Sequence, residues 1–236
     1  MKEWVRMSSY WLLNEDRPPL ASLRWFGPQK SDQIAGLMIY MALVHHANDQ
    51  PTAKFGERGW TALTYTRLGD ITGLSRSKIS GGLSVLQKLG AIEICRNGRS
   101  NSYHVVDYGQ SGGWAKLPAR GLYSRDLQRI PAFHALKLRS RVELNALKIY
   151  LLIIALRDNS TNYAVVSYDR IRDYTGINRI DIKSALSLLV TQGMIQVDQG
   201  ATALNQFSTM NMYRPKYLEP YKHRGTNGRG LVGVAS

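Results

Sequence analysis

A chain of 236 residues, 44% of them hydrophobic, can bury one large core or two small ones, and its 31 Lys and Arg against 17 Asp and Glu leave a net charge of +14. With a pI near 10.0 the partner implied is a polyanion, nucleic acid ahead of an acidic membrane or protein. One cysteine excludes an intramolecular disulfide framework and fits a reducing cytoplasm.

In chain order, "MKEWVRMSSYWLLNEDRPP" holds no continuous apolar region of the length an export signal needs. Asp32–Ala47 reads as a long apolar helix. His45 and His46 near its end share no helix face, so solvation at the helix end or compensation of the helix dipole is expected there rather than a metal site. A second helix begins after the capping residue Thr64 and ends at Gly73; a third begins after Ser75 and ends at Gly90. Along the third, Ile79, Leu83, Leu86 and Leu89 form a buried stripe with Gly82, where helices are expected to cross. The opposite stripe is Ser77, Gly81, Ser84 and Lys88, flanked by Arg76 and Ser80. On this reading Gly81 faces outward, and leucine there leaves the fold intact. Two alternating runs follow, "AIEICR" and "SYHVV", joined through "NGRSN", whose Asn97-Gly98 favours a tight hairpin turn. Cys95 is expected as a buried, inert thiol and His104 as paired across the hairpin.

The next stretch, 111–141, follows a Gly-rich break and carries a net +6; it reads as a basic linker, tracking phosphates or packed through Trp114, Leu117 and Leu122. Beyond it the chain repeats itself. "TYTRLGDITGLSRSKISGGLSVLQKLGAIEI" aligns without gaps to "SYDRIRDYTGINRIDIKSALSLLVTQGMIQV", 103 residues on, with 12 of 31 positions identical. "GLMIYMALVHHAND" aligns to "ALKIYLLIIALRDN" at a shift of 110. The second copy has helices from Val142 to Arg157, from the cap Ser167 to Gly176, and from the cap Asn178, with Asp181 near a capping-box position, to Gly193. Its hairpin strands, "MIQV" and "FSTMNM", flank a long loop, "DQGATALNQ". The apolar window Ala146–Leu156 is eleven residues, too short for a bilayer, which needs about 20. The segments are therefore 1–110, a first domain of net +4; the linker; 142–213, a neutral second domain; and 214–236, a tail of net +4 expected to be mobile.

"ITGLSRSKISGGLSVLQKLGAIEI" resembles the winged-helix DNA-binding domains of bacterial regulators and replication proteins, with "TGLSRS" as the turn and the start of the recognition helix. The tandem layout is similar to that of plasmid replication initiators. The resemblance implies a mainly α fold with small β-hairpin wings (α+β), as two winged helix-turn-helix domains in tandem. In such domains the third helix enters the major groove, about 12 Å wide, led by its N-terminal residues. The DNA-binding residues implied are Ser75, Arg76, Ser77, Lys78, Ser80, Gly81, Ser84 and Lys88 on the first third helix, and Arg96 and Arg99 on its wing. Arg120, Arg125 and Arg129 of the linker join them, with Arg179 and Lys183 in the second copy. There Asp181 opposes phosphates, and Ile180 touches a thymine methyl or a protein, so the second domain binds DNA weakly or forms a homodimer.

No phosphate-binding loop, zinc spacing or nucleophile elbow is found, so an enzyme, a cofactor, a metal or a small-molecule ligand is not expected. The expected protein is a cytoplasmic, sequence-specific double-stranded DNA-binding protein without a membrane partner, of plasmid or phage replication-initiator type. The alternatives are a transcriptional regulator binding an operator and a protein-interaction adaptor.

Overall fold

The computed structural model describes residues 1–14, 16, 18–97, 100–108, 113–202 and 205–218. Strand β1 (Trp4–Ser8) and the one-turn helix α1 (Pro19–Ser22) lead into a unit made of α2 (Lys30–His46), β2 (Trp60–Thr61), α3 (Tyr65–Thr72), α4 (Arg76–Lys88), β3 (Ile92–Asn97) and β4 (Ser100–Val105). Strand β5 (Trp114–Pro118), a 3-10 turn (Arg120–Leu122) and α5 (Pro131–His134) follow. The order then recurs as α6 (Arg141–Leu156), β6 (Ala164–Val165), α7 (Tyr168–Thr175), α8 (Arg179–Thr191), β7 (Ile195–Thr202) and β8 (Asn205–Pro215). The fold is thus α+β, and the described residues form three small antiparallel sheets ordered β1-β5, β2-β4-β3 and β6-β8-β7.

Local chemistry sets the helix ends. The hydroxyls of Thr64, Ser75 and Ser167 accept from the backbone N–H three residues on, and Gly73 and Gly176 end α3 and α7 with φ of 75° and 66°. Ser140 and Glu143 form a complete capping box at α6. Asn178 departs from expectation: it stands at the cap position of α8 but makes no side-chain capping bond, and Asp181 turns away from it toward Arg141.

Helices α2 and α6 are apolar on nearly every side, which only complete burial satisfies. Residues 34–45 and 143–154 are accordingly enclosed. Helix α4 crosses α2 at two glycines. A methyl group on Gly82 would stand 2.8 Å from the Gly36 nitrogen and 2.9 Å from the Ala35 carbonyl carbon, and one on Gly36 would stand 3.2 Å from the Gly82 oxygen. The expected small-residue crossing is therefore present. At the equivalent crossing of α6 and α8, Ala146 and Ala185 replace both glycines and are fully buried.

Of segment 111–141, read as a linker that tracks phosphates or packs through Trp114, Leu117 and Leu122, residues 113–141 are packed into the fold, with Leu117 and Leu122 buried. Val5, Met7, Ala115 and Leu117 on the inner face of the β1-β5 sheet are buried, as are Leu122, Tyr123, Ile130 and Phe133 further on. The segment straps the first unit: Ile130 N–H donates to the Ile71 carbonyl (2.9 Å), His134 Nε2 to that of Asp70 (2.9 Å), and Arg67 to that of Leu127 (2.9 Å). His45 belongs to this contact and is not solvated as expected. Its Nε2 donates to the Pro118 carbonyl at 2.9 Å and its Nδ1 meets the Tyr123 hydroxyl at 3.2 Å. Burial, against the help of the Pro118 carbonyl, pushes its pKa down to about 3.

Meanwhile the N-terminal arm reaches the second unit. Helix α1 packs on α7, where Ala21 lies 3.4 Å from the position a Gly176 methyl would take. Lys148, buried on α6, donates to the Leu23 carbonyl at 2.9 Å. Desolvation, reinforced by Arg24, lowers its pKa to about 7. One apolar cluster runs through both units.

Two further expectations fail on the hairpins. Within the long loop expected at 198–206, residues 198–202 and 205–206 are instead strand, because β7 and β8 keep pairing as far as Thr202 and Asn205. Cys95 is exposed, since strand alternation turns Ile92 and Ile94 inward and the thiol out. His104 does sit opposite Glu93 in the ladder, with Nδ1 3.4 Å from its carboxylate, and stacks on Trp60 at 4.9 Å. The Gly98-Arg99 turn and the tail beyond 218 lie outside the described residues.

Candidate nucleic-acid interface

Helix α4 is held from below by Ile79, Gly82, Leu83 and Leu86, all buried. Its solvent side carries Ser75, Arg76, Ser77, Ser80, Ser84 and Lys88, every one exposed. The Ser75 hydroxyl accepts the capping bond from Lys78 N–H (3.4 Å), which leaves its own O–H available as a donor. No bulky apolar side chain stands on this face.

Two residues expected on that face are elsewhere. Lys78 is turned toward α2, where its ammonium bonds the Asp32 carboxylate and the Ser31 hydroxyl, each at 2.7 Å. Gly81 is half-buried under the same carboxylate: a methyl group there would come within 2.5 Å of Asp32 Cγ and Oδ2. The physical reason is one of angle. Position 81 adjoins the crossing at Gly82, and the first turn of α2 overhangs it. The outward stripe accordingly runs Ser77, Ser80, Ser84 and Lys88.

Arg76 lies with its guanidinium carbon 5.9 Å from the Tyr65 ring centre, at the mouth of a 330 Å³ groove. Thr64, Thr66, Asn101 and Tyr103 line the rest of it. This groove joins the start of α4 to the hairpin and was not foreseen from the sequence, although Tyr65 is one of the positions identical in both copies. On the β3-β4 hairpin Arg96 is exposed, and Arg99 lies outside the described residues. Arg120, Arg125 and Arg129 are all exposed on the strap. They do not sit on an extended chain: Arg120 and Arg125 face a 480 Å³ groove shared with Tyr123 and Tyr217.

In the second unit Arg179 stands where Arg76 does, but Asp169 replaces Thr66 and reaches its guanidinium at 3.4 Å. Asp181, expected to face phosphates, is instead bonded to Arg141 at the start of α6 (3.0 Å). The pair Lys78–Asp32 is thus matched by Asp181–Arg141 with the signs exchanged between the helices. Lys183 is exposed, as is Ile180, which is 85% accessible. Arg179 and Asp181 on α8 are therefore engaged within the protein, whereas Arg76 meets no carboxylate in any ion pair among the described residues.

Among the described residues no three His, Cys, Asp or Glu are grouped to hold a metal ion, and no helix is long and apolar enough to cross a membrane. A scan against protein-family models and a search of curated proteins found no match to this chain.

Proposed function

We propose that this chain is a sequence-specific double-stranded DNA-binding protein made of two winged helix-turn-helix units, with α4 as the principal reading helix. The observation that carries the reading is the solvent face of α4. Arg76, Ser77, Ser80, Ser84 and Lys88 give it cations and short hydroxyls and nothing that would hold a backbone away from a groove floor. Arg76 bonds guanine O6 and N7 or clamps a phosphate, and Arg96 on the hairpin meets the flanking backbone. The net charge of +14 supplies the sequence-independent attraction. The biological role we propose is initiation of plasmid or phage replication, for which the duplicated unit and its layout speak.

Selection of bound duplexes from a random pool tests the reading. A defined motif should emerge, and Arg76→Ala should weaken it by about 1–3 kcal/mol, relaxing one base position if Arg76 reads guanine. An even loss across sequences would make Arg76 a phosphate clamp. No enrichment, or no effect of Arg76→Ala, would remove α4 from the interface. Direct repeats beside an AT-rich origin would support initiation; a single inverted repeat over a promoter would turn the role to transcription control.

A further inference from the structure

Away from α4, the outer face of the β1-β5 sheet carries an arrangement that duplex reading leaves unused. Strand alternation buries Val5, Met7, Ala115 and Leu117 and sets Trp4, Arg6, Trp114 and Lys116 on the other side. Arg6 and Lys116 are direct cross-strand partners, a repulsive pairing. Each cation is covered by an indole instead. The Arg6 guanidinium lies 4.8 Å from the Trp114 ring centre and the Lys116 ammonium 5.1 Å from that of Trp4. The two indoles stack on each other at 5.9 Å and 18°, yet remain 38% and 37% exposed. Beside them opens a groove of 590 Å³, with Lys2, Asp49, Arg58 and Tyr108 on its further wall. Burial opposes the charge on Asp49, but hydrogen bonds from Lys2 and Tyr108 outweigh it and hold the carboxyl below its usual range. That carboxylate is engaged, while neither Arg6 nor Arg58 joins an ion pair among the described residues.

We infer that this groove binds single-stranded DNA, with an unpaired base stacked on the exposed indoles and its phosphates held by Arg6 and Arg58. A duplex hides its base faces; an unpaired strand presents them, and every base has one. A base arriving over Trp114 takes the place of the Arg6 guanidinium, which swings on its flexible stem to the adjoining phosphate. Cations beside stacked rings match what such a strand offers: flat faces at the bases and negative charge along the backbone. The inference does not rest on the duplex reading of α4, and the two fail separately.

The test uses the full chain and a labelled oligo(dT) strand at low salt, read by anisotropy and by quenching of tryptophan fluorescence. Binding with quenching is expected. Trp114→Ala should weaken it about 5- to 150-fold, Trp114→Phe should restore most of it, and Arg6→Ala should lower the salt slope of log K by roughly 0.7. Duplex affinity should survive Trp114→Ala, and Arg76→Ala should leave the single strand bound as before. If Trp114→Ala does not fold, as judged by circular dichroism, the salt slope of Arg6→Ala decides the matter alone. Absence of oligo(dT) binding, as a peptide-binding groove would give, overturns the inference. So does binding that neither folded variant weakens, or binding lost with Arg76→Ala.

Discussion

Asp32 governs two of its neighbours on α4, and both effects are local. Its carboxylate takes the Lys78 ammonium at 2.7 Å and fills the space above Gly81. Glycine is a poor helix former, so on sequence grounds Gly81 is kept either for close approach to a surface outside or through indifference. The packing makes it a residue chosen for what lies over it. Gly81→Leu should therefore destabilise the fold by about 1–3 kcal/mol, by pushing Asp32 off Lys78, and thermal unfolding will measure the drop. An unchanged midpoint would mean that the carboxylate swings aside at no cost. Helical spacing told which residues of α4 share a stripe, and it correctly set Ile79, Leu83 and Leu86 inside. It could not tell how α2 leans across that stripe, and so position 81 was set outside where Ser80 belongs.

Elements were legible to the extent that their signals are local. The caps at Thr64, Ser75 and Ser167 and the left-handed stops at Gly73 and Gly176 lie within a few residues of the helices they bound. Strands β1 and β5 pair across more than a hundred residues, and five-residue runs on their own carry too little pattern to announce a partner. Strands β7 and β8 were cut short for a different reason: a backbone ladder needs no apolar periodicity to continue. The crossing of α2 and α4 was read from the small residue at 82 alone, and its geometry gives a sharp test. Gly82→Ala gains about 1 kcal/mol of helix propensity yet drives a methyl group against the backbone of α2. We expect net destabilisation by about 1–3 kcal/mol in denaturant titration. A gain in stability would mean that α4 moves outward to the spacing that Ala146 and Ala185 occupy in the second unit.

At the scale of the molecule, helix α1 of the N-terminal arm packs on the second unit, and the 127–134 part of the strap is bonded to the first. Lys148 is one anchor of that exchange, and the first unit has Met38 at the matching position. With a native pKa near 7 against an ordinary value of 10.5, the unfolded chain binds a proton between those values that the folded chain does not. Stability should consequently rise with pH across that window, being lost again as pH falls toward 7. Lys148→Met should abolish this slope, as urea unfolding of both proteins at several pH values would show. Parallel slopes would mean that Lys148 keeps its proton on folding.

The exchanged signs of Lys78–Asp32 and Arg141–Asp181 bear on how such a chain comes to be folded correctly at all. A duplicated sequence offers each third helix two seats of the same layout, and a wrong choice would tangle the arm and the strap. Were α4 to settle on α6, Lys78 would be brought toward Arg141; were α8 to settle on α2, Asp181 would be brought toward Asp32. Both mistaken pairings set like charges together at a half-buried crossing, while both native ones set opposites. The two halves share one order of elements and carry opposite polarity at this contact, so the pairing of each third helix with its own first helix is also the pairing of opposite charges.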